Sequence, residues 1–216
     1  MQLVSINTSL PKPIKYNGKE VLSGIFKQAV NGSIFVSLNN LEGDGQADLH
    51  NHGGAHKAVY GFSYNHYAYW RDVLQAPNLA AGAFGENLTI TNLNERELHI
   101  GDQLRIGDVI LEVSQPRVPC YKLGLALGDK KAPQLFVNHF ETGVYFRVKQ
   151  EGFIATNDVV EVVKRSTQAV SVKSLFRAYF DKSMTNATEV LTAGLAVLEL
   201  APEWQEKIKK RLQIQS

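Results

Sequence analysis

Chemistry in this chain can be looked for first at its only cysteine, Cys120. It stands in Ser114-Gln115-Pro116-Arg117-Val118-Pro119-Cys120-Tyr121-Lys122-Leu123-Gly124. Pro116 and Pro119 lack an amide donor, so a central strand cannot run on through this segment. Arg117 and Lys122 bracket the thiol. Positive charge favours the thiolate, the form that ligates a metal or attacks a substrate. The plain alternative is a buried structural cysteine, and proline, arginine and lysine neighbours argue against a core position.

Polar groups gather a second time in Leu49-His50-Asn51-His52-Gly53-Gly54-Ala55-His56-Lys57, with Asp44 and Asp48 upstream. Two chemistries compete here. His50, His52 and His56 could hold zinc, as in a metal hydrolase. Gly53-Gly54 disfavours the helix that would align histidines four apart. Alternatively, the paired glycines let successive amides converge on an anion, and Lys57 with Arg117 supplies the charge a phosphate attracts. A third polar loop, Ala81-Gly82-Ala83-Phe84-Gly85-Glu86-Asn87, can approach the same ligand. Gly85 allows close backbone contact, and Glu86 and Asn87 offer polar groups.

These loops need a scaffold, and the pattern predicts mostly strands. Leu3 to Thr8 reads as an opening strand. Gly24 to Val30 and Ser33 to Leu38 read as a hairpin turned by Asn31-Gly32. Strands follow at Ala58–Phe62, Leu88–Thr91, Gln103–Ile106, Val109–Val113, Val144–Val148 and Val159–Val163. His66 to Leu74 reads as a helix with Asn65 as its N-cap, and Ala132 to Phe140 as another opened by Pro133. Short strands at this spacing predict a mainly β, closed or nearly closed barrel with short inserted helices. Beyond residue 165 the strand pattern stops. Val172, Leu175, Phe176 and Tyr179, then Val190, Leu191 and Leu195, then Trp204, Ile208 and Leu212 predict three helices. The expected division is a barrel domain over 1–165 and a three-helix domain over 166–216.

Composition sets limits. Among 216 residues, 23 basic side chains face 21 acidic ones, a formal net charge of +2. A nucleic-acid binder would segregate a basic face. One cysteine excludes an internal disulfide and a four-thiolate iron–sulfur cluster. No apolar run approaches a membrane span. The expectation is a soluble protein of the reducing cytoplasm, with no nucleic-acid or membrane partner and a homodimer left open.

The segments LEGDGQAD (Leu41–Asp48), HGGAHKAV (His52–Val59), GAFGENLT (Gly82–Thr89), IGD (Ile100–Asp102) and SQPRVPCYKL (Ser114–Leu123) resemble, in order and spacing, the MOSC-domain family in its YiiM-like branch. The resemblance covers nearly the whole chain. It implies a pyruvate-kinase-type β-barrel followed by three helices, and a molybdenum cofactor (molybdopterin). By this resemblance Cys120 is the thiolate ligand of molybdenum, a soft donor on a soft-leaning metal. Arg117 and Lys57 hold the pterin phosphate or oxo groups, helped by Lys122. His52, Gly53 and Gly54 line one side of the pocket, and Gly85, Glu86 and Asn87 the other, with Asp44 and Gln46 as lesser contacts. Related members reduce N-hydroxylated compounds such as hydroxylaminopurines and amidoximes. The implied catalytic set is Cys120, Arg117 and His52, the last as first candidate for the proton donor. The chain has no Gly-x-Gly-x-x-Gly fingerprint, so electrons are expected from a separate flavoprotein or other reductase. The competing reading is a sulfur carrier holding a persulfide on Cys120.

Overall fold

The computed structural model describes residues 1–47 and 53–213. The strands are β1 (Gln2–Thr8), β2 (Lys12–Tyr16), β3 (Lys19–Ser23), β4 (Gln28–Val30), β5 (Ser33–Val36), β6 (Val59–Ser63), β7 (Leu88–Thr91), β8 (Gln103–Ile106), β9 (Val109–Pro116), β10 (Val144–Gln150), β11 (Gly152–Ala155) and β12 (Val160–Lys164). The helices are α1 (Tyr67–Val73), α2 (Tyr121–Leu127), α3 (Ala132–His139), α4 (Val172–Phe180), α5 (Ala187–Leu195) and α6 (Pro202–Leu212).

Eight strands form one mixed sheet in the order β12-β8-β9-β10-β6-β7-β1-β4. It curls until its two sides meet. Leu3 N donates to Asp158 O, Asn157 N to Leu3 O and Val160 N to Met1 O, joining β1 to the β12 edge. Closure removes the edges that would otherwise invite aggregation. Leu3, Ile6, Leu88, Ile90, Leu104, Leu111, Val113, Val144 and Phe146 fill the inside. A second cluster, of Tyr60, Phe62, Tyr67, Trp70, Phe84, Leu123 and Phe136, lies where α1, α2 and α3 cover the wall. Trp70 stacks on Phe136 with centroids 3.9 Å apart.

Three local expectations are corrected. First, Asn31-Gly32 does not close a hairpin: β4 pairs with β1 and β5 pairs with β11. Both flanking runs are short and find long-range partners, so the turn carries the chain from one sheet to another. The Asn-Gly hairpin is instead β2–β3, where Asn17 (φ 48°) and Gly18 (φ 75°) give the two left-handed residues of a type I′ turn. Second, Asn65 does not cap α1. A 3₁₀ turn, Tyr64–His66, leads into the helix, and Asn65 exchanges hydrogen bonds with Asn92 at 2.8 and 2.9 Å. Third, β9 runs to Pro116, which pairs with Val144 of β10 as the last rung. A proline is tolerated there because the ladder is ending.

The three C-terminal helices form as the spacing predicts. Ser171 caps α4 by accepting from Ser174 N at 3.1 Å. Gly194 lets α5 approach closely: a Cβ there would sit 2.9 Å from Leu175 Cδ1. Leu175, Phe176, Leu191, Trp204 and Ile208 belong to the same apolar cluster as the barrel interior. Trp204 Nε1 donates to Pro116 O at 3.1 Å and Ala201 N to Ser114 O at 3.0 Å. The tail therefore abuts the strand that leads to Cys120. No helix among the described residues is long and apolar enough to cross a membrane.

Candidate functional site

Cys120 follows the end of β9 in extended conformation (φ −125°, ψ 175°) and directly precedes α2. It is half-buried and lines a cavity at one end of the barrel. Arg117 and Lys122, from the same segment, face that cavity too. Lys57 reaches it from the 3₁₀ turn Ala55–Lys57, Gly85 and Asn87 from the loop before β7, and Lys27 and Asp44 from the N-terminal connections. Tyr60 and Tyr145, register partners on β6 and β10, complete the wall. Among the described residues, four cationic side chains and one carboxylate thus share the cavity with the thiol.

Among the described residues, Arg117 is held by aromatic rings and backbone rather than by a carboxylate. It is 5% exposed. Its guanidinium lies 5.3 Å from the Tyr60 ring centre and 6.0 Å from that of Phe136. Nη2 donates to Phe84 O at 3.4 Å, while Nη1 is buried and makes no hydrogen bond among the described residues. A buried guanidinium nitrogen left this way is costly unless something satisfies it. The backbone is fixed by Arg117 N donating to Gly143 O (3.1 Å) and Thr142 Oγ1 donating to Arg117 O (2.6 Å).

Polar groups behind the cavity orient its lining. Asp44 accepts from Ser9 N, from Lys27 and, at 2.9 Å, from Asn87 Nδ2. Asn87 Oδ1 in turn accepts from Tyr60 N at 3.0 Å. Burial lowers the Lys27 pKa, and Asp44 opposes that shift. Burial raises the Tyr145 hydroxyl pKa; the Arg117 charge pulls it down and Cys120 pushes it up. Lys57 pairs with Glu203 of α6, and Lys122 Nζ donates to Leu22 O at 3.3 Å.

Of the residues expected from sequence, Cys120, Arg117, Lys57, Lys122, Gly85 and Asn87 come together. Gly53, Gly54 and Glu86 do not line the cavity. The Gly54 amide, expected to point at an anion, donates instead to Gln46 Oε1 at 2.9 Å. Gln46 Nε2 donates to Lys57 O at 3.2 Å, so Gln46 staples the glycine turn, which needs φ 86° at Gly54. Glu86 is fully buried and turned toward the aromatic cluster, accepting from Tyr67 Oη, Gly82 N, Phe84 N and Thr89 Oγ1. It shapes the loop, while Gly85 lines the cavity. His52, with Asp48 and His50, lies outside the described residues. His56, the third histidine of the zinc alternative, has its Nδ1 2.9 and 3.1 Å from two nitrogens of Arg147. Lys27, Tyr60 and Tyr145 were not singled out from sequence. Pairing the runs Val59–Ser63 and Val144–Val148 would have put both tyrosines side by side, and nothing local marks Lys27.

Glu95 stands behind this wall. Its carboxylate accepts from Gly143 N (2.8 Å) and Thr142 N (3.2 Å), which carry the Arg117 backbone contacts. Burial pushes its pKa from 4.5 to about 8, against the pull of those two amides. The folded state therefore keeps a proton that the unfolded chain releases near pH 4.5. That contribution is complete below about pH 4.5 and is lost as pH rises through about 8. Urea unfolding should show stability falling across that window, by at most about 1.4 kcal/mol per pH unit. Glu95→Gln should flatten the slope; an unchanged slope would assign it elsewhere.

The comparisons with known proteins follow the geometry. Residues 48–161 match the MOSC domain model. YflK of Bacillus subtilis (strain 168) is 36% identical over 210 residues, 97% of this chain and 93% of that protein. A protein named reductase, from Gibberella moniliformis (strain M3125 / FGSC 7600), is 36% identical over 163 residues; these cover 74% of this chain and 29% of that protein. The crystal structure of YiiM from Geobacillus stearothermophilus superposes with a TM-score of 0.80 at 30% identity, covering 98% of both chains. With the domain match, full-length relatives and a common architecture in agreement, the chain belongs to the MOSC-domain family, in its YiiM-like branch.

Proposed function

We propose that this protein is a molybdenum-cofactor-dependent reductase of small N-hydroxylated compounds, working in the cytoplasm with electrons from a separate flavoprotein or other reductase. MOSC domains are associated with molybdenum-cofactor binding, and the relative named reductase favours redox chemistry. The observation that carries the reading is the buried Arg117 Nη1 with no partner among the described residues, in the same cavity as Cys120. That pairing suits a guest with an anionic group and a soft metal.

Cys120 would ligate the metal through its thiolate. Arg117, Lys57 and Lys122 would hold the phosphate and oxo groups, with Asn87, fixed by Asp44, Asn7 and Tyr60, shaping the wall beside them. Gly85, at φ +80°, brings the backbone close; a Cβ there would meet Ile25 Cγ1 at 2.8 Å. When bound, the cofactor supplies a two-electron redox centre that can accept the substrate's oxygen. Tyr145 lines the cavity with its hydroxyl neutral, because burial raises its pKa, and the Arg117 charge that pulls the pKa back down would help it give a proton to the departing oxygen or the nitrogen left behind. With one cysteine and no dinucleotide fingerprint, the chain draws its electrons from a partner.

The test is expression in a molybdopterin-competent host, followed by molybdenum and pterin analysis and turnover of an amidoxime or hydroxylaminopurine with an artificial reductant. The proposal expects about one cofactor per chain and reduction to the amidine or amine. Tyr145→Phe should retain the cofactor and lose turnover by about 10²-fold or more, the contribution of a positioned general acid. Sulfane sulfur on Cys120 with no turnover would replace this reading with the persulfide carrier.

A further inference from the structure

On the far side of the aromatic cluster, three potential metal ligands converge without any role in the cavity. His66 ends the 3₁₀ turn before α1, His139 ends α3, and Glu141 follows two residues later. Nδ1 of His66 lies 3.7 Å from Glu141 Oε2, and Nε2 of His139 lies 3.4 Å from the same oxygen. The three ligand atoms all fall within 4.8 Å of one another. Donors bound about 2.1 Å from one tetrahedral ion stand about 3.4 Å apart, so little movement is needed.

Several features hold this arrangement in place. Glu141 spends its other oxygen, Oε1, on Lys173 Nζ (2.7 Å) and Arg96 Nε (3.0 Å). Those bonds fix the carboxylate and leave Oε2 turned to the histidines. The His139 ring is stacked on Tyr69 at 4.4 Å and edge-on to Trp70 at 5.2 Å. Its Nε2 is buried and makes no hydrogen bond among the described residues. Phe140 adopts φ +61°, a left-handed conformation uncommon for a bulky residue, and this swings Glu141 back beneath His139. Neutral imidazole is the ligating form.

We propose that His66, His139 and Glu141 form a second metal site, separate from the cofactor cavity, for zinc or a similar late first-row divalent ion. Two imidazoles and one carboxylate are the donor set such an ion accepts, while magnesium and calcium prefer oxygen alone. Three protein ligands leave a position for water. Arg96 and Lys173 act as the outer partners that fix the carboxylate. The ion would tie the end of α3 to the turn before α1. It would thereby stiffen Trp70 and Phe136, the rings behind Arg117.

The test is titration of chelator-stripped full-length protein with zinc, read by calorimetry, and with cobalt(II), read by visible absorption. The expected result is about one ion per chain at micromolar or tighter affinity, retained in Cys120→Ser. Cobalt should give d–d bands with no sulfur charge-transfer band. His139→Ala and Glu141→Ala should weaken binding at least about tenfold, as loss of a ligand requires. His139→Gln, closer in volume, serves where alanine impairs folding. Zinc should raise the melting temperature of the wild type and not of the His139 variants. No uptake, or uptake unchanged in His66 and His139 variants, would overturn the assignment.

Discussion

Cys120→Ala is expected to fold normally, carry no molybdenum and fall to the background rate. The structure separates these outcomes cleanly. The Cys120 side chain does not cap α2, and the contact that starts the helix is Leu123 N donating to Cys120 O at 3.0 Å, a backbone bond that alanine preserves. Cys120 is the soft donor among the described residues that line the cavity, so if it ligates the metal as proposed, its loss removes that bond. Cys120→Ser makes the sharper experiment. Serine is a preferred N-cap residue, worth about 1 kcal/mol over a non-capping side chain. Stability should therefore hold or rise while metal retention and turnover are lost. Molybdenum content equal to wild type in both variants, by elemental analysis of matched preparations, would end the proposal that Cys120 is a ligand.

Glu86→Ala is expected to be the most destabilising single change near the site, although Glu86 does not line the cavity. Its two oxygens receive four hydrogen bonds, from Tyr67 Oη, Gly82 N, Phe84 N and Thr89 Oγ1. Removing the acceptor strands four buried donors, each costing about 1–3 kcal/mol unless water enters. A loss of about 3 kcal/mol or more in urea unfolding follows. Phe84 O receives Arg117 Nη2 and Gly85 lines the cavity, so the same substitution should loosen cofactor binding. Glu86→Gln keeps one carbonyl acceptor and should recover part of both losses. A stability change below about 1 kcal/mol in the alanine variant would mean that the donors find other partners.

Glu86 also shows where sequence reading stops. In the string Gly-Glu-Asn beside a flexible glycine, a carboxylate looks like a ligand-facing group. What surrounds it is set by Tyr67, from a helix nearly twenty residues away, and that proximity is not written locally. At Gly53-Gly54, too, the local pattern and the observed hydrogen-bond partner differ. The spacing predicts an anion nest, and Gln46 occupies the Gly54 amide. The strands around Cys120 and most of the helix spans were legible because each rests on periodicity or proline and glycine punctuation within a few residues. Cys120, Arg117 and Lys122 were legible as neighbours in one cavity because they lie within six residues of one another, across the loop after β9 and the first turn of α2. Lys27, Tyr60 and Tyr145 join it only after the sheet closes, through β4, which Lys27 directly precedes, β6 and β10. The misplaced hairpin has the same origin: both Asn-Gly pairs carry the turn signal, and only long-range pairing chooses between them.

One consequence of the α6 contacts reaches past the fold. Trp204 and Ala201 bond to the end of β9, and Glu203 neutralises Lys57 at the cavity mouth. The C-terminal helices are thus wired into the electrostatics of the pocket, and a chimera cannot treat them as interchangeable cargo. Exchanging them with those of a relative carries an unasked-for change in the charge felt by the guest, unless the recipient lysine and its carboxylate travel together.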